Sequence, residues 1–249
     1  MKNTIPATAA VYTSLLRADF TTLWRNRRAA ILVFLVPVVI LISWKGIVDK
    51  MGGAFALSMC ITIGLTAIGL MGYTISIARD RDKGIFQRLR VAPVPSWTIM
   101  ASRITVQIAM ITALTLLVFI VGANVDKVVL TPAGYIFGLL MALAGGAVYL
   151  GLGQMIVGLI KNPEAVNATT RLVYFAFIMI GMFGELGVLG ESLKQIVIWS
   201  PFGTVKRIVS DSLYPGTWSQ HTSMALLVTI GYAIVFTVLG IKWFRWNTK

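Results

Sequence analysis

Long runs without Asp, Glu, Lys or Arg set what this chain can fold into. Val128–Ile160 runs thirty-three residues, Ser212–Ile241 thirty, Met51–Ala78 twenty-eight and Ile104–Val125 twenty-two. A bilayer core about 30 Å thick is crossed by about 20 helical residues, so runs of this size are helices meant for lipid. Two runs are shorter. Ala29–Trp44 has sixteen residues between Arg28 and Lys45, whose long side chains can snorkel to the interface. Leu172–Gly184 has thirteen before Glu185, so this span must borrow Ala168–Arg171. The expected fold is an all-α integral membrane protein, with six transmembrane helices at 29–48, 54–78, 98–123, 132–157, 168–186 and 224–243.

Composition agrees. Of 249 residues, 57% are hydrophobic and 12% charged, with a mean hydropathy of +0.82. Soluble domains carry roughly 25% charged residues, and one soluble core could not bury this much apolar surface. The single cysteine, Cys60, excludes an intrachain disulfide framework and a cysteine zinc site. The single histidine, His221, excludes a histidine metal cluster and argues against Ser-His-Asp catalysis. Residues 1–28 lack the apolar core of a cleavable signal peptide.

The net charge of +13 is distributed by topology. With the N-terminus inside, residues 1–28, 79–103, 158–171 and 242–249 share one side. That side holds sixteen basic and four acidic residues, against six and five on the other. The bias places both termini in the cytoplasm, and nucleic acid is not the expected partner.

The segments between spans carry the functional signal. Residues 10–27 place Tyr12, Leu16, Phe20 and Leu23 on one helical face, followed by Trp24 and basic residues. This reads as an amphipathic helix in the membrane interface, with a soluble leader helix as the alternative and Asp19 an irregularity in the stripe. The 79–97 loop packs seven charges into twelve residues, from Arg79 to Arg90. Within it Ile85, Phe86 and Leu89 share a helical face, and Pro93 and Pro95 stop the helix. It is either a short helix with an exposed apolar edge that docks a soluble partner, or a positive-inside loop without one. Gly134, Gly138, Ala142 and Gly146, spaced by four, form a small-residue ridge for close helix contact, within the chain or across a dimer. Residues 187–215, rich in glycine near the start and containing Trp199 and Pro201, are too broken to span. They read as a re-entrant segment or as interfacial helices on the outer face.

The loop run Asp80-Arg81-Asp82, Gly84, Arg88-Leu89-Arg90, Ala92-Pro93-Val94, with Arg103 beyond it, resembles the signature of ABC-2 type transporter permeases. Leu16-Arg17 with Arg25–Arg28 and Pro37 resembles the elbow helix and first span of the drug-export branch. Trp199-Ser200-Pro201-Phe202 with Val205-Lys206-Arg207 resembles its outer re-entrant segment. Aspartates replace the usual glutamates, Ile85 a common threonine, and Gln87 an acidic residue. The resemblance implies a permease subunit of an ATP-driven exporter in the prokaryotic plasma membrane, paired with a second permease as a homodimer or heterodimer. Two separate ATPase subunits would bind ATP and Mg. The implied coupling residues are Asp80, Arg81, Asp82, Lys83, Gly84, Ile85, Phe86, Arg88, Leu89 and Arg90. This chain has no G-x-x-x-x-G-K-[ST] phosphate loop, so it supplies no ATPase and no catalytic residue of its own.

A secondary transporter is disfavoured because ionisable residues are missing from the span centres. An intramembrane enzyme is disfavoured because no carboxylates or nucleophile–base pair converge. For cargo, Met179, Met182 and Phe183 share a face of the fifth span with Glu185 at its end. Adaptable methionine and aromatic surface suits a hydrophobic or amphipathic substrate, with ordinary packing or lipid contact as the alternative. Polysaccharide export is the second expectation for cargo, without a row of aromatics to support it.

Overall fold

A computed structural model describes residues 8–25, 27–90, 95–188 and 190–244. Among them the chain is helical throughout: α1 Thr8–Arg25, α2 Arg27–Ser43, α3 Lys45–Met51, α4 Gly53–Thr66, a π-helical stretch Ala67–Thr74, α5 Ile75–Asp82, α6 Ile85–Arg90, α7 Ser96–Val125, α8 Pro132–Leu159, α9 Pro163–Glu185, α10 Glu191–Trp199, α11 Pro201–Leu213, a 3-10 turn Pro215–Thr217 and α12 Gln220–Trp243. Among the described residues, five continuous helices are long and apolar enough to cross a membrane: Gly53–Asp82, Trp97–Val125, Pro132–Leu159, Pro163–Glu185 and Gln220–Trp243. The first expected span is shorter, with its apolar part at Ile31–Ser43.

Helix starts follow local chemistry. Thr131-Pro132, Asn162-Pro163 and Ser200-Pro201 each place a capping side chain before a proline. The cap accepts an orphan N–H, and the proline occupies a position whose N–H has no helical partner. Thus Asn162 Oδ1 accepts from the N–H of Glu164 at 2.8 Å. α12 opens on a reciprocal box between Ser219 and Thr222.

The α4–π–α5 rod is the centre of the bundle. Every residue from Phe55 to Leu70 is buried, as suits a helix apolar on all sides. Its hydroxyls turn back on their own helix: Thr62 donates to Ser58 O and Thr66 to Thr62 O, each at 2.7 Å. The π stretch interrupts what reads as one uniform span. There Thr74 Oγ1 donates to Gly69 O at 2.8 Å, which satisfies a carbonyl in the widened turn. Gly69 lies so close to α8 that a Cβ on it would stand 2.6–2.8 Å from Tyr149, including its main chain.

α8 packs most extensively on α12. A Cβ on Gly240 would sit 2.9 Å from the main chain of Gln154, the close approach small residues allow in membranes. The Gly134–Gly146 ridge is used inside the chain: Gly134 and Gly138 face Leu213 of α11, Gly146 faces Ile111 of α7, and Ala142 is fully buried. Its expected close contact is therefore within one chain.

Candidate functional site

At one end of the bundle, α5 turns into α6 over two residues. Lys83 N–H bonds Arg79 O at 3.0 Å and Gly84 N–H bonds Arg81 O at 3.1 Å. Gly84 takes φ +67°, a left-handed conformation natural to a residue closing a helix without a Cβ. The turn leads into α6, and Phe86 decides how it sits. Phe86 is fully buried, in a cluster with Tyr73, Ile77, Ile99, Ile156 and Val166, and meets the Phe244 ring edge-on at 6.1 Å. Ile85 and Leu89 are half-buried, Leu89 against the same cluster. The apolar edge of α6 thus faces the protein. Asp82, Lys83, Gln87 and Arg88 are exposed.

Arg81 is drawn inward as well, with 1% of its surface exposed. Its guanidinium donates to the carbonyls of Val157 at 2.6 Å, Ile160 at 2.7 Å and Lys161 at 3.0 Å. The Val157 and Ile160 oxygens lie in the last turn and at the C-cap of α8, where carbonyls lack helical N–H partners and the dipole favours a cation, and Lys161 follows directly. Arg81 therefore caps α8 from α5.

Asp80 faces the other way. Arg103 of α7 bridges Asp80 at 2.6 Å and Asp19 of α1 at 3.2 Å. Ser102 Oγ donates to the second Asp19 oxygen at 2.5 Å, and one α1 turn-pair away Tyr12 and Thr105 hydroxyls bond at 2.6 Å. Asp19, the irregularity in the α1 stripe, is thus the contact that fixes α1 to α7. Burial pushes its carboxyl above the ordinary 3.8; Ser102 and Arg103 partly offset this and Asp80 adds to it.

The opposite end holds a second polar junction. Glu185, the last residue of α9, pairs with Lys206 of α11 at 2.8 Å, each side chain 12% exposed. The Lys206 ammonium also lies 4.5 Å from the centre of the Phe55 ring at the start of α4. Beneath it Phe55, Met59, Ile63 and Phe202 form a buried cluster, with Met182 against it. Beside this cluster an apolar cleft of about 260 Å³ opens between α9 and the α10–α11 junction, lined by Val173, Ala176, Phe177, Ile180, Gly181 and Phe202 among others.

Several expected site residues sit otherwise than their pattern suggests. Phe86 and Arg81 are both buried, Phe86 in the cluster between α5, α8 and α9 and Arg81 against the end of α8. An aspartate at Phe86 would bury a carboxylate and so cannot report on docking. Arg90 belongs to α6 by its backbone, its side chain lying outside the described residues, as do Ala92, Pro93, Val94 and both chain ends. On α9, Met179, Met182 and Phe183 are half-buried, but the cleft wall is the Val173–Phe177–Gly181 row. Glu185 is tied to Lys206. Arg103, Asp19 and Lys206 stood in the sequence only as a motif position, an irregularity in a stripe and part of the outer segment; their ion pairing was not read from it. In the row 173, 177, 181, the glycine marked where α11 approaches.

Comparison with known proteins follows the same residues. The family model described as ABC-2 type transporter matches residues 10–214, from α1 through α11. The chain is also similar to a Bacillus subtilis (strain 168) protein named "Putative transport permease YvfS", at 21% identity over 238 residues. That similarity covers 90% of this chain and 92% of the relative.

Proposed function

This chain belongs to the ABC-2 type transporter family, and from that membership we propose that it is the permease subunit of an ATP-driven exporter. In this reading it crosses the prokaryotic plasma membrane six times, α2 included, with both termini and α6 in the cytoplasm and the α10–α11 segment re-entering from outside. It works with a second permease copy and two separate ATPase subunits, and it carries a hydrophobic or amphipathic cargo. ATP and Mg bind to the ATPase partner.

The observation that carries this reading is the seating of α6. A six-residue helix between two spans is pinned by Phe86 and displays Asp82, Lys83, Gln87 and Arg88. Because its apolar side is spent on the bundle, α6 is a rigid knob with a polar face, suited to a groove that carries carboxylates. A push on that knob reaches four helices by three routes. Phe86 passes it to the α8–α9 cluster, Arg81 to the end of α8, and Asp80 through Arg103 to α7 and α1. Closure of the ATPase dimer on ATP would tilt these helices together and switch the pathway between inward and outward openings.

The test is copurification of the tagged chain in mild detergent, with identification of bound proteins and an ATPase assay. The reading predicts a stoichiometric phosphate-loop ATPase. A chain that comes down without one, before and after crosslinking in membranes, would contradict it.

A further inference from the structure

The cleft and the Glu185–Lys206 pair are stacked. Gly181 and Glu185 are four apart on α9, and Phe202 and Lys206 four apart on α11. Gly181 packs directly on Phe202, and Glu185 bonds Lys206. The ion pair therefore lies one helical turn, about 5.4 Å, beyond the apolar cleft. An apolar slot open at its side, with an ammonium one turn above, has the layout of a site for a molecule with a tail and a charged head.

The two charges are not held equally. Lys206 keeps the face of the Phe55 ring at 4.5 Å when its carboxylate leaves. Glu185 accepts from Lys206 alone among the described residues. It ends α9, where the helix dipole repels a carboxylate. The chain beyond it turns through Gly187 and Gly190 at φ +73° and +86°, with nothing within 4 Å of where a Cβ on either would stand, so the segment that follows Glu185 is loosely packed at those two points.

We infer that Lys206 is an anion site latched by Glu185, and that the cleft below it takes the acyl chain of an anionic amphiphile bearing a carboxylate or phosphate head. The tail lies along Val173, Phe177 and Gly181, and the head displaces Glu185 from Lys206. This inference rests on the permease reading and names the cargo class for it.

The test is photolabelling of the full chain in phosphatidylcholine vesicles with diazirine-bearing stearate, against the matching stearyl alcohol and alkylammonium probes, and peptide mapping. Stearate should label α9 and the α10–α11 junction about tenfold more than the alcohol. Lys206→Gln should remove that preference and Glu185→Gln should increase it. Excess unlabelled stearate should compete, and inorganic phosphate alone should not. The double variant Glu185→Gln/Lys206→Gln leaves no buried charge unpaired and should also lose the preference, which separates head-group recognition from misfolding. Equal labelling by acid and alcohol, preference for the ammonium probe, or labelling indifferent to Lys206→Gln would overturn the inference. Because labelling needs no ATPase, those outcomes would leave the permease reading standing, and loss of ATPase association would leave a labelled site without a motor.

Discussion

The Arg81 guanidinium donates to the Val157 carbonyl over 2.6 Å, tying the turn before α6 to the last turn of α8. With Ile160 at the C-cap and Lys161 just beyond it, the same group serves three carbonyls where α8 ends. Hydrogen bonds to a charged group contribute about 1.5–3 kcal/mol each when one partner is deleted. Arg81→Met should therefore lower the melting temperature in detergent by several degrees. Arg81→Lys should recover only part, since one ammonium cannot copy the fork. Thermal unfolding of the three proteins checks this, and unchanged stability in Arg81→Met would remove Arg81 from the coupling path.

Two substitutions on α6 should separate folding from docking. Phe86→Ala empties a fully buried ring site and should cost about 3–5 kcal/mol of stability. Arg88→Glu changes an exposed residue and should leave unfolding within about 0.5 kcal/mol of the parent. It should still reduce the amount of copurified ATPase. Unfolding curves and quantitative copurification on the same samples make the comparison.

Asp19 gives a pH signature. Its carboxyl is raised above the ordinary 3.8 in the folded protein, so the folded state holds this proton more tightly than the unfolded state. Its contribution is fully present below pH 3.8 and is lost as pH rises through the raised folded value. Asp19→Asn cannot titrate. The melting-temperature difference between parent and Asp19→Asn should therefore change across this acidic window and stay flat above it, measured in one detergent and buffer series. A difference that is flat throughout would contradict the assignment.

Glycine tolerance should follow proximity. Gly69→Ala drives a Cβ against Tyr149 of α8, including its main chain, where no side chain can move aside. Gly231→Ala in α12 meets nothing within 4 Å. The first should impair folding or membrane yield. The second should gain about 0.5–1 kcal/mol from helix propensity. Expression and thermal stability of the pair decide it.

The long helices were readable because length and lack of charge are properties of the chain itself, but the start of α9 at Pro163, ahead of the expected 168, was not taken from Asn162-Pro163. The π stretch at Ala67–Thr74 was not readable; it lies where Gly69 approaches Tyr149 and Gly153 approaches Thr74, contacts with α8 that the local sequence does not contain. The α6 face shows the limit for the site. Ile85, Phe86 and Leu89 do share an edge, but periodicity cannot say whether an apolar edge faces a partner or the protein's own core. Here the Tyr73–Ile77–Val166 cluster claims it. Likewise the Arg81 and Asp80 roles depend on α8 and α7 arriving beside α5, a tertiary fact that spacing within one loop does not contain.

The most direct test of the account is a photo-crosslinking amino acid placed at Gln87, exposed on α6, in the native membrane, with the same probe at exposed Val188 at the opposite end as the control. The account predicts capture of a phosphate-loop ATPase from Gln87, strengthened or weakened by ATP, and none from Val188. Capture of the ATPase from Val188 with none from Gln87, or of lipid alone from Gln87, would contradict α6 as the docking element.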